Sequence, residues 1–220
     1  MKFIPILCVA TGLLGGAAQA STTNLITNGD FELGNIGFGS DFTFQLLNIV
    51  PAKTYTVTTN PNINNSFAFS YGDNTTGAGN MMAINGTTTP GDVFWRQTVA
   101  VTTGTDYLFS LFTSTWAGNT ASLALDIGGV DFGTFGTPST RGTWVETVFA
   151  PWSSGNATSV TLELANLSGQ FTGNDFALDD LSFASTSVAP PAAVIPLPAA
   201  GWALITALAA LVGLRRRARA

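Results

Sequence analysis

The chain has 220 residues, with 13 acidic and 8 basic side chains, no histidine, one cysteine and a formal net charge of −5. Without histidine, Ser/His/Asp and Cys/His triads and His-ligated metal sites are excluded. The single cysteine, Cys8, lies in an N-terminal apolar run, which excludes a disulfide framework and a thiolate metal cage.

The first 20 residues have the three parts of a secretory signal peptide. Lys2 gives a basic start, an apolar run extends from Phe3 to Gly16, and Ala18-Gln19-Ala20 matches an A-x-A cleavage site. A buried N-terminal helix is the alternative, and it is disfavoured by Pro5 and by the glycines of this run. We therefore expect export and cleavage after Ala20.

Residues 21–187 show the period-two alternation of half-buried strands, with turn residues between the runs. The predicted strands, in chain order, lie at 42–50, 55–58, 67–71, 81–84, 93–101, 107–115, 123–127, 144–149, 160–164 and 176–183. No stretch shows a convincing helical period. About ten short strands predict an all-β domain folded as an antiparallel β-sandwich, or jelly roll.

This predicted domain is strongly acidic. It contains all 13 carboxylates and only three basic residues, Lys53, Arg96 and Arg141, so its formal net charge is −10. Such a surface repels phosphate backbones, and we therefore expect no nucleic-acid partner.

Short motifs at the two ends of the domain and in its centre resemble those of galactose-binding-like jelly rolls. Asn28-Gly29-Asp30-Phe31-Glu32 opens the domain, and Asp179-Asp180-Leu181-Ser182 closes it. Between them, Gln97-Thr98-Val99 precedes a strand that begins after Gly104. The family includes several carbohydrate-binding modules, so the resemblance implies a jelly roll and favours glycan binding.

The same resemblance implies a structural calcium ion where the two terminal segments lie side by side. Glu32 and Asp179 are the side-chain ligands that it implies, with backbone carbonyls near residues 28–30 as further candidates. A hard divalent cation needs six to eight oxygens, which carboxylates and carbonyls on adjacent strand ends can supply. The alternative is that these acids are ordinary exposed residues at strand ends.

Sugars are recognised by aromatic rings and by polar side chains, neither of which requires histidine. The candidates are Trp116, Trp152, Tyr71 and Arg96, and the turn-like surroundings of Trp116 and Trp152 predict exposure. Tryptophans are also frequent core residues, and Arg96 could instead cap a carbonyl. The sequence leaves these alternatives open.

Catalysis would depend on carboxylates alone, as in a glycosidase pair. Glu146 and Glu163 lie at the polar positions of alternating strands, where solvated residues belong. The sequence has no recognisable catalytic motif, and we expect that the protein is not an enzyme.

The C-terminal residues predict a membrane segment. Residues 188–198 form a Pro/Ala-rich linker, and the apolar residues Ala199 to Leu214 precede Arg215, Arg216, Arg217 and Arg219. As a helix, this run covers about 24 Å, somewhat less than the hydrocarbon core, and arginine snorkelling can close the gap. We predict a transmembrane helix and a cytoplasmic Arg-rich end over 199–220. A buried amphipathic helix is the alternative.

This order of a proline-bearing motif, an apolar helix and terminal arginines resembles the PEP-CTERM sorting domain. Ile195-Pro196-Leu197-Pro198 is close to the VPLPA variant, with Ile in place of the first Val. The resemblance implies a Gram-negative host, an inner-membrane precursor, processing by an exosortase, and release or attachment at the cell surface, often beside extracellular polysaccharide.

The sequence thus predicts an exported, surface- or matrix-associated, non-catalytic protein that binds glycans or associates with exopolysaccharide. A structural or adhesive protein that binds protein partners or itself is the second hypothesis. A carboxylate-dependent glycosidase is the third.

Overall fold

Two β-sheets packed face to face form the body of the protein in a computed structural model that describes residues 23–170 and 172–186. These described residues belong to one compact unit. The predicted signal peptide, linker, sorting motif and transmembrane segment lie outside the described residues, and so do their residues Ile195, Pro196, Leu197, Pro198, Arg215, Arg216, Arg217 and Arg219.

The described residues form eleven strands and one short helix. In chain order these are β1 (Thr43–Phe44), β2 (Thr54–Thr58), α1 (Pro61–Asn64), β3 (Met81–Asn85), β4 (Asp92–Ala100), β5 (Asp106–Thr115), β6 (Ser122–Ile127), β7 (Val130–Gly136), β8 (Val145–Val148), β9 (Trp152–Ser153), β10 (Ser159–Asn166) and β11 (Phe176–Ser185).

The larger sheet has the order β1-β2-β3-β11-β5-β8, with β9 also paired to β5, and the smaller sheet has the order β4-β10-β6-β7. All pairs between these strands are antiparallel except β1 with β2. The prediction of an all-β sandwich is therefore confirmed.

The main core lies between the two sheets, where alternate side chains of facing strands meet. Leu162 and Leu164 of β10 and Phe109 and Leu111 of β5 are each at most 1% exposed. This is the alternation that the sequence shows, with Thr161 and Glu163 on the outer side of β10.

A second, smaller core lies on the other face of the larger sheet. It contains Met81 and Ala83 of β3 and Ala177 of β11, whose sequence neighbours face the main core. Residues 59–80, here called the cover segment, lie over this face, with Phe69 N–H donating to the Trp116 carbonyl at 3.2 Å. Part of the larger sheet is therefore covered by its own chain.

The cover segment contains α1. Asn60 caps it through a 3.0 Å hydrogen bond from the Asn62 N–H to its side chain, and Pro61 occupies the first turn, where its missing N–H costs nothing. No helix among residues 23–170 and 172–186 is long and apolar enough to cross a membrane.

Some strand predictions were wrong. Residues 67–71 are not a strand but an irregular part of the cover segment, and of the predicted strand at 42–50 only Thr43–Phe44 is formed. The strands Val130–Gly136 and Trp152–Ser153 were not predicted. The other eight predicted strands are present, with small shifts in their ends.

Candidate functional site

A pocket of about 500 Å³ opens beside the second core, where five separate segments of the chain meet. Its lining combines aromatic, amide and carboxylate side chains: Phe67, Trp116, Asn65, Asn85, Asn119 and Asp175. Val50, Ala52 and Ala117 add apolar surface. No lysine or arginine lines the pocket in the part of the chain that the structure describes.

Phe67 presents its ring to solvent at the pocket, and its side chain is 80% exposed. Asn65, just after α1, holds this turn because its Oδ1 accepts a 3.1 Å hydrogen bond from the Phe67 N–H. Ala68, the next residue, is buried in the second core. Because the small Ala68 side chain is buried in the second core, the neighbouring Phe67 ring faces solvent.

Two further pocket residues are held by bonds to the main chain. Asn85, at the end of β3, donates through Nδ2 to the carbonyls of Ile49 at 2.8 Å and Val50 at 2.9 Å. Trp116 donates through Nε1 to the Phe176 carbonyl at 2.9 Å. These bonds fix the floor of the pocket before any ligand arrives, which lowers the entropy cost of binding.

Asp175 is the only carboxylate among the described lining residues. The Gly86 N–H donates to its Oδ1 at 3.1 Å. Burial raises the pKa of Asp175 to about 6, and this hydrogen bond only partly offsets the effect. The side chain is therefore largely ionised at neutral pH but poorly compensated in the pocket.

Asn119 closes one side of the pocket against Gly173. A Cβ atom placed on Gly173 would lie 1.9 Å from Asn119 Nδ2, and Gly173 has a φ of +88°. The positive φ favours glycine here, whereas the close approach is to the end of the Asn119 side chain, which could shift.

The residues predicted to bind sugar do not share one surface. Trp116 lines the pocket, but it is 2% exposed, so the prediction of an exposed side chain was wrong. Trp152 is half-buried, with its ring centroid 5.9 Å from that of Phe183, and it lines a separate pocket of about 580 Å³ beside the smaller sheet.

Tyr71 and Arg96 are engaged elsewhere. Tyr71 packs in the second core, with its ring centroid 5.9 Å from that of Trp144. Arg96, on the outer side of the smaller sheet, pairs with Asp41, and its Nε lies 3.7 Å from a Glu163 oxygen. Neither residue lines the pocket at Phe67.

The terminal segments of the domain lie side by side, as the resemblance implied. Leu25 N–H donates to the Phe183 carbonyl at 2.9 Å, and Leu181 N–H donates to the Gly29 carbonyl at 2.9 Å. The second bond explains the glycine of the opening motif, because a Cβ atom on Gly29 would lie 2.2 Å from the Leu181 carbonyl oxygen.

Glu32 and Asp179, the implied calcium ligands, both hold the loop at residues 73–80. Asn80 N–H donates to Glu32 Oε1 at 2.7 Å, and Asn74 N–H donates to Asp179 Oδ2 at 2.8 Å. Burial, with a smaller contribution from the Asp180 carboxylate, raises the pKa of Asp179 to about 7. Asp179 is therefore a buried carboxylate that lacks a compensating charge.

No group of three or more acidic, histidine or cysteine side chains is placed to hold a metal ion among the described residues. A calcium ion beside Glu32 and Asp179 would need most of its oxygens from backbone carbonyls. The carbonyls at 28–30 have the required chemistry, since each oxygen can accept more than one interaction. Carboxylate and carbonyl oxygens are the ligand types that calcium takes, but both implied carboxylates already accept hydrogen bonds from the loop at residues 73–80.

No family model matches this chain, and no curated protein matches it. Among solved structures, it is similar to an arabinose-bound GH51 α-L-arabinofuranosidase, with a TM-score of 0.50 and 11% identity over 79% of this chain and 28% of that chain. A CBM61 module in complex with β-1,4-galactotriose gives a TM-score of 0.48 and 15% identity over 73% of this chain and 97% of the module.

A CBM36 module in complex with calcium and xylotriose gives a TM-score of 0.37 and 20% identity over 50% of this chain and 83% of the module. The chain thus spans less than a third of the arabinofuranosidase but most of each binding module. At these identities the similarity concerns the fold alone. Solved structures similar in fold to this chain include carbohydrate-binding modules.

Proposed function

We propose that this protein is a non-catalytic glycan-binding protein and that its sugar site is the pocket at Phe67. The observation that carries the proposal is an 80% exposed phenyl ring at a pocket also lined by amides and a carboxylate. An aromatic face can cover the C–H face of a sugar ring, while Asn and Asp side chains hydrogen-bond to its hydroxyls.

The absence of a catalytic function is part of this proposal. A glycosidase needs two carboxyl groups about 5 to 10 Å apart, one on each side of the scissile bond. Asp175 is the single carboxylate of the described pocket lining. Glu146 and Glu163, the candidates for a catalytic pair, do not line this pocket.

Binding of plant, bacterial and host-derived polysaccharides on a glycan array tests the proposal. For a ligand found in this way, Phe67→Ala should weaken binding by about tenfold, since the loss of one stacking ring costs on the order of 1.4 kcal/mol. Leu47→Ala is the matched control, because Leu47 is also 80% exposed but does not line the pocket. Equal affinity of both variants and the wild type would reject the pocket as the sugar site.

An adhesive role is the second candidate, favoured by exposed apolar side chains around the same region. Leu46, Leu47, Ile63 and Phe67 are each at least 67% exposed. Their segments are joined by a 2.8 Å hydrogen bond from Asn64 Nδ2 to the Leu46 carbonyl. Grouped apolar surface of this kind is typical of protein interaction sites. Self-association in sedimentation experiments, lost in a Leu46→Ser, Leu47→Ser double variant, would favour this role.

We also propose export and surface sorting, on the sequence features of residues 1–20 and 188–220. The precursor would be anchored in the inner membrane of a Gram-negative bacterium, processed by an exosortase, and delivered to the surface or to a polysaccharide matrix. Intact-mass analysis of the surface form should give a chain that begins at Ser21 and lacks Arg215 to Arg217. A mature chain that retains these arginines would contradict removal of the tail.

A calcium ion beside Glu32 and Asp179 is a further part of the proposal. When bound, it would supply the positive charge that the buried Asp179 carboxylate lacks. Calcium should then raise the melting temperature by several degrees relative to chelator. Glu32→Gln should reduce this shift, whereas Asp126→Asn, on the smaller sheet, should retain it. An unchanged melting temperature of the wild type would exclude a structural calcium.

A further inference from the structure

We propose that the pocket at Phe67 selects amino sugars with a free amine, such as de-N-acetylated hexosamines, through an ion pair with Asp175. This inference rests on the proposed glycan-binding function and names the ligand class of the same pocket. It follows from the single carboxylate among the described lining residues and from the contacts that the three basic residues of the domain make elsewhere.

The Asp175 carboxylate can accept more hydrogen bonds than the described residues donate to it. Its Oδ1 receives the Gly86 N–H at 3.1 Å, and the described residues donate no hydrogen bond to Oδ2. Its backbone is also fixed, because the Thr115 hydroxyl donates to the Asp175 carbonyl oxygen at 3.1 Å. The carboxylate is thus held in place at a pocket large enough for a sugar residue.

The three basic residues of the domain do not compensate this carboxylate. Lys53 Nζ lies 2.8 Å from Asp92 Oδ1, and Arg96 pairs with Asp41. Arg141 is exposed to solvent, donates through Nη2 to the Ala117 carbonyl at 2.8 Å, and forms no salt bridge with Asp175 among the described residues. None of the three basic residues lowers the pKa of Asp175, since only the hydrogen bond from Gly86 lowers it.

A ligand ammonium group would supply the missing charge. Hydrogen bonds between charged partners are roughly twice as strong as those between neutral ones. The pocket excludes part of the surrounding water, which strengthens the pair relative to one at an open surface. An uronic acid at the same position would instead face a carboxylate and a domain with 13 acids against three bases.

The experiment compares three β-linked tetrasaccharides by titration calorimetry with the full chain: glucosamine, N-acetylglucosamine and glucose oligomers. We expect the glucosamine oligomer to bind about tenfold more tightly than its acetylated form, with a preference that shrinks as salt rises. Asp175→Asn should abolish the preference, because asparagine can still accept from Gly86 but carries no charge. Glu146→Gln, which removes an equal charge outside the pocket, should retain it.

The outcomes separate this inference from the proposed function. Equal affinity for the acetylated and free-amine oligomers, with Phe67→Ala still weakening both, would overturn the amino-sugar preference and leave glycan binding in place. A preference that Asp175→Asn and Glu146→Gln reduce equally would assign it to overall charge and would also overturn the inference. The salt dependence of the wild type tests the ion pair without any variant. No binding of any glycan would overturn the proposed function itself.

Discussion

At the scale of single residues, Trp116 shows that a pocket residue can be essential to the fold rather than to recognition. It is 2% exposed, and its indole N–H is bonded to the Phe176 carbonyl. Its ring belongs to the second core, with Met81 and Ala177. Trp116 therefore connects the floor of the pocket to the covered face of the larger sheet.

We predict that Trp116→Ala lowers the free energy of unfolding by about 3 to 5 kcal/mol, the usual cost of removing a large buried aromatic side chain. Urea denaturation measures the change. Phe67→Ala should cost less than about 1 kcal/mol, because that ring is mostly exposed. Similar stabilities of the two variants would show that Trp116 is not a core residue.

The residues that line the pocket could not be found from the sequence, although several of their residue types were expected. The sequence predicts an exposed Trp116, which is in fact buried, it places Phe67 in a strand that does not form, and Asp175 lies in no motif. The pocket combines five segments that are far apart in the chain. No local pattern marks such a meeting point, which depends on the path of the cover segment over the sheet.

At the scale of elements, Gly29 explains why the opening motif contains glycine. The N-terminal segment approaches β11 so closely that a Cβ atom at Gly29 would lie 2.2 Å from the backbone oxygen of Leu181. A backbone atom cannot move aside as the end of a flexible side chain can. The contact between the two terminal segments thus depends on the absence of a side chain.

We predict that Gly29→Ala lowers the free energy of unfolding by about 1 to 3 kcal/mol, the usual cost of overpacking. Chemical denaturation provides the measurement. Gly169→Ala is the control, because an added Cβ there would meet Pro90 side-chain atoms at ordinary distances of 3.5 Å and more. If both variants unfold like the wild type, the terminal segments are not packed as described.

Strands with strong alternation were predictable, and segments where alternation has another cause were not. In β10, apolar residues alternate because one face meets the core. At 67–71 the pattern is similar, but Ala68 is buried while Phe67 and Phe69 are exposed. An irregular segment lying on a sheet can produce the same period. The strand Val130–Gly136 was not predicted because its glycines interrupt the alternation of apolar residues.

At the scale of the whole molecule, the distribution of buried acids sets the response to pH. The pKa values of Asp175 and Asp179 are raised to about 6 and about 7, mainly by burial. Burial acts in the same direction on Asp73 and Asp92, but hydrogen bonds from Thr76 and Gly79, or from Lys53 and Thr87, outweigh it and lower both pKa values. The two pairs of acids therefore make stability change with pH in opposite directions.

A carboxyl group with a raised pKa in the folded state binds more protons there than in the unfolded chain, so its contribution to stability falls as pH rises. For Asp175 and Asp179 this loss spans about pH 4 to 7. Asp73 and Asp92 contribute stability above the unfolded pKa, and it is lost as pH falls below about 4. Stability should therefore be greatest in mildly acidic solution, near pH 4 to 5.

We predict that the free energy of unfolding decreases by about 2 kcal/mol or more between pH 4.5 and pH 7.5, since each unit of pKa shift corresponds to about 1.4 kcal/mol. Urea denaturation in the presence of chelator measures this decrease, because a bound cation would favour the ionised Asp179. Asp175→Asn should flatten the part of the profile below about pH 6. Stability that rises steadily from pH 4.5 to pH 7.5 would mean that Asp175 and Asp179 are compensated in the folded protein. That result would also remove the electrostatic basis for an amine-bearing ligand, because an Asp175 already paired within the protein would gain little from a second cation.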